Sequence, residues 1–190
     1  MRIVLIVVLL ALAGCATAPR NIQNACAIFD QRDGLFNNWE RSARAASREY
    51  GVPVPILMAT IYVESGFRPY ARPPRRYILG FIPWGRVSTA YGYSQALDGT
   101  WEHYRRATGN WSARRSNFSD AVHFVAWYHN FNHQKNGIAL TDPYNLYLAY
   151  YSGHVGYARG TWRNDAGVRR AAAKATSIAR NYSTQLRRCR

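Results

Sequence analysis

The chain has 190 residues, 48% of them hydrophobic, which is enough for one domain with a real core. Twenty-five basic side chains (23 Arg and 2 Lys) oppose 10 acidic ones, a formal charge of +15. In a cytoplasmic protein that balance would point to nucleic acid, but the N-terminus carries an export signal that argues against such a partner.

The first residues, "MRIVLIVVLLALAGC", place Arg2 before an apolar run from Ile3 to Leu12 and then small residues. The run is short for a membrane span, so residues 1–14 are expected to be a secretory signal peptide. Leu12-Ala13-Gly14-Cys15 resembles the lipobox of bacterial lipoproteins. That resemblance implies acylation of Cys15, and Ala16 in place of Asp implies the periplasmic face of the outer membrane. Residues 15–26 would then be a lipidated tether and residues 27–190 the folded domain. Cys26 and Cys189 remain, an even pair in an oxidising compartment, which suggests a disulfide between the two ends; two free thiols are the alternative. Eleven positions separate Cys15 from Cys26, a reach of roughly 36 Å when extended.

Beyond the tether the period is helical. Phe36, Trp39, Ala43, Ala46 and Tyr50 share one stripe, and Gly51 stops it. A second helix is expected over Pro55–Ser65, apolar on nearly every face and therefore central, ended by Gly66 and Pro69. Residues 68–90, rich in Pro and Gly, predict an irregular excursion. Asp98 is expected to cap a helix, and Ser119 or Asp120 another through Ala121–Tyr128. Asp142-Pro143 opens a helix ending near Gly153, and a last one covers Val168–Arg187. No strand signal of any length emerges, so the expected class is mostly α.

One acid stands out. From Val52 to Phe67 the only charged side chain is Glu64, in the last turn of the central helix. An acid in so apolar a run is costly unless it serves a purpose. Set among Ile61, Tyr62 and Phe67, its carboxyl should be poorly solvated and its pKa raised, as a general acid requires. A buried ion pair with an Arg is the bland alternative.

Three stretches, "ATIYVESGFRPYA" (59–71), "AYGYSQALDGTW" (90–101) and "YLAYYSGHVGY" (147–157), resemble in order the motifs of SLT-type lytic transglycosylases. These enzymes share a lysozyme-like α fold. Glu64-Ser65 matches the family's Glu-Ser pair at a helix end, and Gly92-Tyr93-Ser94-Gln95 matches Gly-Leu-Met-Gln. Ala149-Tyr150-Tyr151-Ser152-Gly153 matches Ala-Tyr-Asn-Ala-Gly.

The resemblance implies cleavage of the MurNAc-GlcNAc β-1,4 bond of peptidoglycan, with Glu64 as acid and then base and 1,6-anhydroMurNAc ends as product. It implies that Ser65 orients the acetamido group, that Gln95 binds sugar, and that Tyr150 points its hydroxyl at the acid. Tyr93 and Tyr151, which replace Leu and Asn, stand among the sugar-binding positions. Asp98 is the nearest second carboxylate and is expected to be a cap rather than a catalyst. Two alternatives stay open: a hydrolytic muramidase on the same fold, and an inert glycan-binding lipoprotein.

The excursion "RRYILGFIPWGR" (75–86) is too apolar for an ordinary loop. It is expected to wall the cleft, with Trp84 or Tyr77 stacking on a sugar; docking to a membrane or partner and plain packing on the domain are the alternatives. His129 and His133 lie one helical turn apart without a completing ligand, so no metal is expected, and the chemistry calls for no cofactor. The partners expected are peptidoglycan strands and, through Cys15, the membrane, for a chain acting as a monomer. The basic surface would suit stem peptides or anionic head groups, or would only aid solubility.

Overall fold

A computed structural model describes residues 18–33, 37–79 and 81–189. Seven helices dominate: α1 (Ala25–Phe29), α2 (Trp39–Tyr50), α3 (Val54–Ser65), α4 (Asp98–Thr108), α5 (Phe118–Asn136), α6 (Pro143–Arg159) and α7 (Ala166–Leu186). Two short antiparallel pairs join them, β1 (Arg32–Asp33) with β2 (Asn37–Asn38), and β3 (Arg75–Ile78) with β4 (Ile82–Arg86). The expected signal peptide and Cys15 lie outside the described residues. Among the described residues no helix is long and apolar enough to cross a membrane.

The expected centre is the observed one. Helix α3 buries Ile56, Leu57, Met58, Ala59, Thr60 and Ile61, so no single face is polar and neighbours must cover it all round. It packs on α7, α5 and α2. Beside it an aromatic block fills the core. Trp39 stacks on Phe118 with ring centroids 4.0 Å apart and meets Tyr93 edge-on at 5.5 Å.

Several boundaries differ from expectation for local reasons. Asn117, not Ser119 or Asp120, caps α5 by accepting from the Asp120 amide; the Asp120 carboxylate instead accepts from the Arg114 amide. Asp98 begins α4 without capping it, because its carboxylate is paired with Arg115 at 2.7 Å. The helix opened by Pro143 does break at Gly153 as expected (φ 69°, ψ 161°), but a second helical stretch, counted within α6, follows it to Arg159. The excursion is a hairpin rather than irregular coil, with Arg75 opposite Arg86 and a bulge between Arg75 and Tyr77.

The ends are strapped together. Cys26 and Cys189 form a disulfide across a separation of 163 residues. Gln185 accepts from the Ala25 amide and donates to the Gln23 carbonyl, and the Tyr182 hydroxyl donates to the Ile22 carbonyl. Pro19 is buried and Ile22 packs on the core, so contact with the domain begins inside the stretch expected to be tether. On the chain-entropy model so long a loop contributes about 5 kcal/mol. Reduction, or Cys26→Ser, should lower unfolding stability by about 3–5 kcal/mol, read from denaturant midpoints with and without a thiol reductant.

Candidate active site

Glu64 sits where α3 runs out of neighbours. The helix ends on Gly66 in the left-handed region (φ 58°), and Phe67 follows with φ 60°. This double left-handed step turns the chain away and buries Phe67 against Trp39, leaving Glu64 on the rim. A cleft of about 590 Å³ opens there, bordered by Gln95, Tyr128, Tyr150, Tyr151 and Gly153 among others. Among the described residues lining it, Glu64 is the one carboxylate.

Among the described residues the carboxyl has a single hydrogen-bond donor. Tyr147 of α6 donates its hydroxyl to Glu64 Oε1 at 2.8 Å. Among the described residues no Arg, Lys or His forms an ion pair with Glu64, so the ion-pair alternative falls. Burial pushes the Glu64 pKa up to about 7, and the Tyr147 bond opposes that rise by stabilising the charged form. Tyr147 in turn is held protonated by burial and by the neighbouring carboxylate. Near neutrality Glu64 is thus close to evenly divided between acid and base.

The tyrosine at the acid is not the one expected. Tyr150 lines the cleft, but its hydroxyl donates to the Ser94 carbonyl at 2.6 Å. Tyr147 lies three residues earlier on the same helix face, a spacing that could have raised it as a candidate. Tyr62, expected beside Glu64, faces elsewhere: it packs edge-on against Tyr182 and accepts from Gln23.

The other motif residues divide between cleft and scaffold. Tyr151 is 62% exposed on the cleft rim. Gln95 also borders the cleft, but its amide nitrogen donates to the Ala71 and Gly92 carbonyls, so it holds the turn as well. Tyr93 is fully buried against Trp39 and Phe118, which corrects its place among sugar contacts. Ser65 is buried too and donates back to the Ile61 carbonyl, so it does not face the cleft. Trp84 lies outside the cleft lining, whereas Pro73, Ser88 and Ala90 at the root of its hairpin are part of it.

Glycine at 92 is obligatory. Its φ is +76°, and a Cβ there would stand 2.1 Å from the Arg115 carbonyl oxygen, the atom that accepts from the Tyr93 amide. His129 is buried with Nε2 2.9 Å from the Thr60 hydroxyl, and His133 Nδ1 is 2.6 Å from the Ile138 carbonyl; both rings are engaged in the scaffold.

A family model described as Transglycosylase SLT domain matches residues 3–189. The chain belongs to the transglycosylase SLT domain family. Among curated proteins, none matches the sequence. The mostly helical, lysozyme-like architecture is that of an SLT domain. At family level the SLT domain brings glycan cleavage of the lytic transglycosylase type and peptidoglycan glycan as substrate.

Two measurements follow from the carboxyl's surroundings. Removing the Tyr147 hydroxyl in Tyr147→Phe deletes a bond to the charged form, worth about 1.5–3 kcal/mol. The Glu64 pKa should therefore rise by about one to two units, visible in a carbon-13 NMR titration of its carboxyl. The native pKa of about 7 also lies above the ordinary 4.5, so the native state holds its proton more tightly than the unfolded chain. This contribution to stability is complete below pH 4.5 and is lost as pH rises through about 7. Glu64→Gln should abolish that loss and raise stability at pH 8 by up to about 3 kcal/mol, read from urea midpoints.

Proposed function

We propose that this SLT-domain protein is a lipid-anchored lytic transglycosylase that cuts the MurNAc-GlcNAc bond without water. The observation that carries this reading is a cleft-lining carboxylate, single among the described lining residues, with its pKa raised to about 7. Protonated Glu64 gives its proton to the glycosidic oxygen, and the bond from MurNAc C1 to that oxygen breaks. The N-acetyl oxygen of MurNAc supports the cationic centre. Glu64, now a carboxylate, takes the proton of the same sugar's 6-hydroxyl, O6 bonds to C1, and the 1,6-anhydro ring closes. The proton count returns to its start and no co-reactant is consumed. Tyr147 keeps Glu64 aimed through both steps, while Tyr150, Tyr151 and Gln95 border the space where the sugars would lie.

Paired-carboxylate glycosidases use the second acid as nucleophile or as base for water. Asp98, the expected second candidate, is paired with Arg115 and is not part of the cleft lining. That disfavours the hydrolytic reading. The lipobox-like sequence at Cys15 supports anchoring at the periplasmic face of the outer membrane, which mass spectrometry of the native N-terminus tests directly.

Digestion of purified sacculi should release 1,6-anhydro muropeptides; reducing ends in their place would reject ring closure in favour of a muramidase. Glu64→Gln should lose about 10²–10⁴-fold in release rate while still binding glycan strands. A wild type that binds strands and releases nothing would make the protein an inert binder.

A further inference from the structure

The β3–β4 hairpin presents large apolar side chains to solvent: Leu79 is 78% exposed, Phe81 72% and Trp84 67%. Its two strands pack chiefly on each other, so plain packing on the domain does not account for them. A monomeric surface rarely shows such a cluster without a use. The charge around it has one sign. Between Ser65 and Leu97 the sequence holds five Arg and no acid. Exposed Arg75 and Arg86 face each other across the root of the ladder, with exposed Arg72 just before it.

We propose that this hairpin docks the enzyme on an anionic phospholipid bilayer. The apolar tip enters the head-group layer, and the root arginines meet lipid phosphates. The dimensions agree: four residues of strand span roughly 13 Å, and the head-group region of one leaflet is about 5–7 Å deep. With the tip at the acyl boundary and the hairpin upright, the arginine backbones stand about 6–8 Å above the head-group layer, and their long side chains extend down towards the phosphates.

The position of the N-terminus points the same way. The Ile22 side chain lies 3.7 Å from where a Cβ on Gly66 would be, and Gln23 donates to the Tyr62 hydroxyl. Ile22 and Gln23 thus lie at the C-terminal end of α3, the end from which the hairpin departs. Only four positions separate Cys15 from buried Pro19, about 14 Å of extended chain. A sugar platform is the weaker assignment for the tip, because Trp84 stands outside the cleft lining while the hairpin root borders it. Docking would hold the cleft mouth close to the bilayer.

The full chain, reconstituted in phosphatidylglycerol-containing vesicles, tests this through Trp84 alone, taken as the difference between wild type and Trp84→Phe. Its fluorescence should shift to the blue and be quenched by brominated acyl chains. Leu79→Ser with Phe81→Ser should reduce that quenching at least tenfold, since each apolar side chain contributes on the order of tenfold to partition. Arg75→Ser with Arg86→Ser should reduce it about fivefold or more and remove its salt sensitivity. Trp84 that stays open to aqueous acrylamide on these vesicles overturns the proposal. Shielding by glycan fragments with no response to lipid also overturns it and assigns the tip to sugar. Because the signal is that of one side chain, failure of cleavage would not mimic either outcome, and mass spectrometry of the reconstituted chain confirms the lipid on Cys15 before the fluorescence is read.

Discussion

The site depends on a carboxyl kept out of water at the end of a helix that is apolar all round. Helix α3 is surrounded because none of its faces tolerates solvent, and Glu64 inherits that surrounding one turn before the cleft. Desolvation would drive the acid fully neutral, which would make it a poor base. The Tyr147 hydroxyl counters this by favouring the anion, and the balance falls near pH 7. Neither effect alone yields a group able to give a proton and then take one.

The opposite wall is backbone held by backbone. The turn at 92–95 is fixed by the Gly92 amide on the Ala71 carbonyl, by the Tyr93 amide on the Arg115 carbonyl and by the Gln95 side chain across the turn. Tyr93 plugs this turn into the aromatic core beside Trp39, and Tyr150 ties α6 to it through the Ser94 carbonyl. Tyr147 and Tyr150 therefore divide one helix face between acid and scaffold. Of the described residues that hold this wall, Gln95 and Tyr150 also line the cleft.

This division explains what the sequence could and could not disclose. Glu64 was legible because charge is rare in an apolar helix and the penalty for burying it is large. The helices are legible through their period, and the terminal disulfide through cysteine parity beside a signal-like N-terminal sequence. Tyr147 was hidden by its neighbour: helix spacing places both rings on one side, and only the approach of α3 decides which hydroxyl reaches the acid. Ser65 and Tyr93 belong to motifs yet serve packing, a difference that depends on side-chain direction and not on residue type. Asp98 looked like a cap because its partner, Arg115, is seventeen positions away. The hairpin is not legible in the sequence because, among the described residues, its strands pair with each other alone, and the Pro and Gly within it read locally as coil.

The chemistry proposed for Glu64 gains from what the cleft lacks. A water molecule would need a positioned base to compete for the sugar cation, and the described lining offers no second carboxylate for that task. The 6-hydroxyl needs no recruitment, because it is tethered to the reacting ring. Well-oriented intramolecular groups reach effective concentrations of about 10⁵–10⁸ M, beyond what free water can match. A single acid with its pKa near 7 then suffices, since the proton it releases in the first step is replaced by the one it collects in the second. The balance set by burial and Tyr147 is what such a cycle requires, and moving it in either direction would slow one half of the reaction.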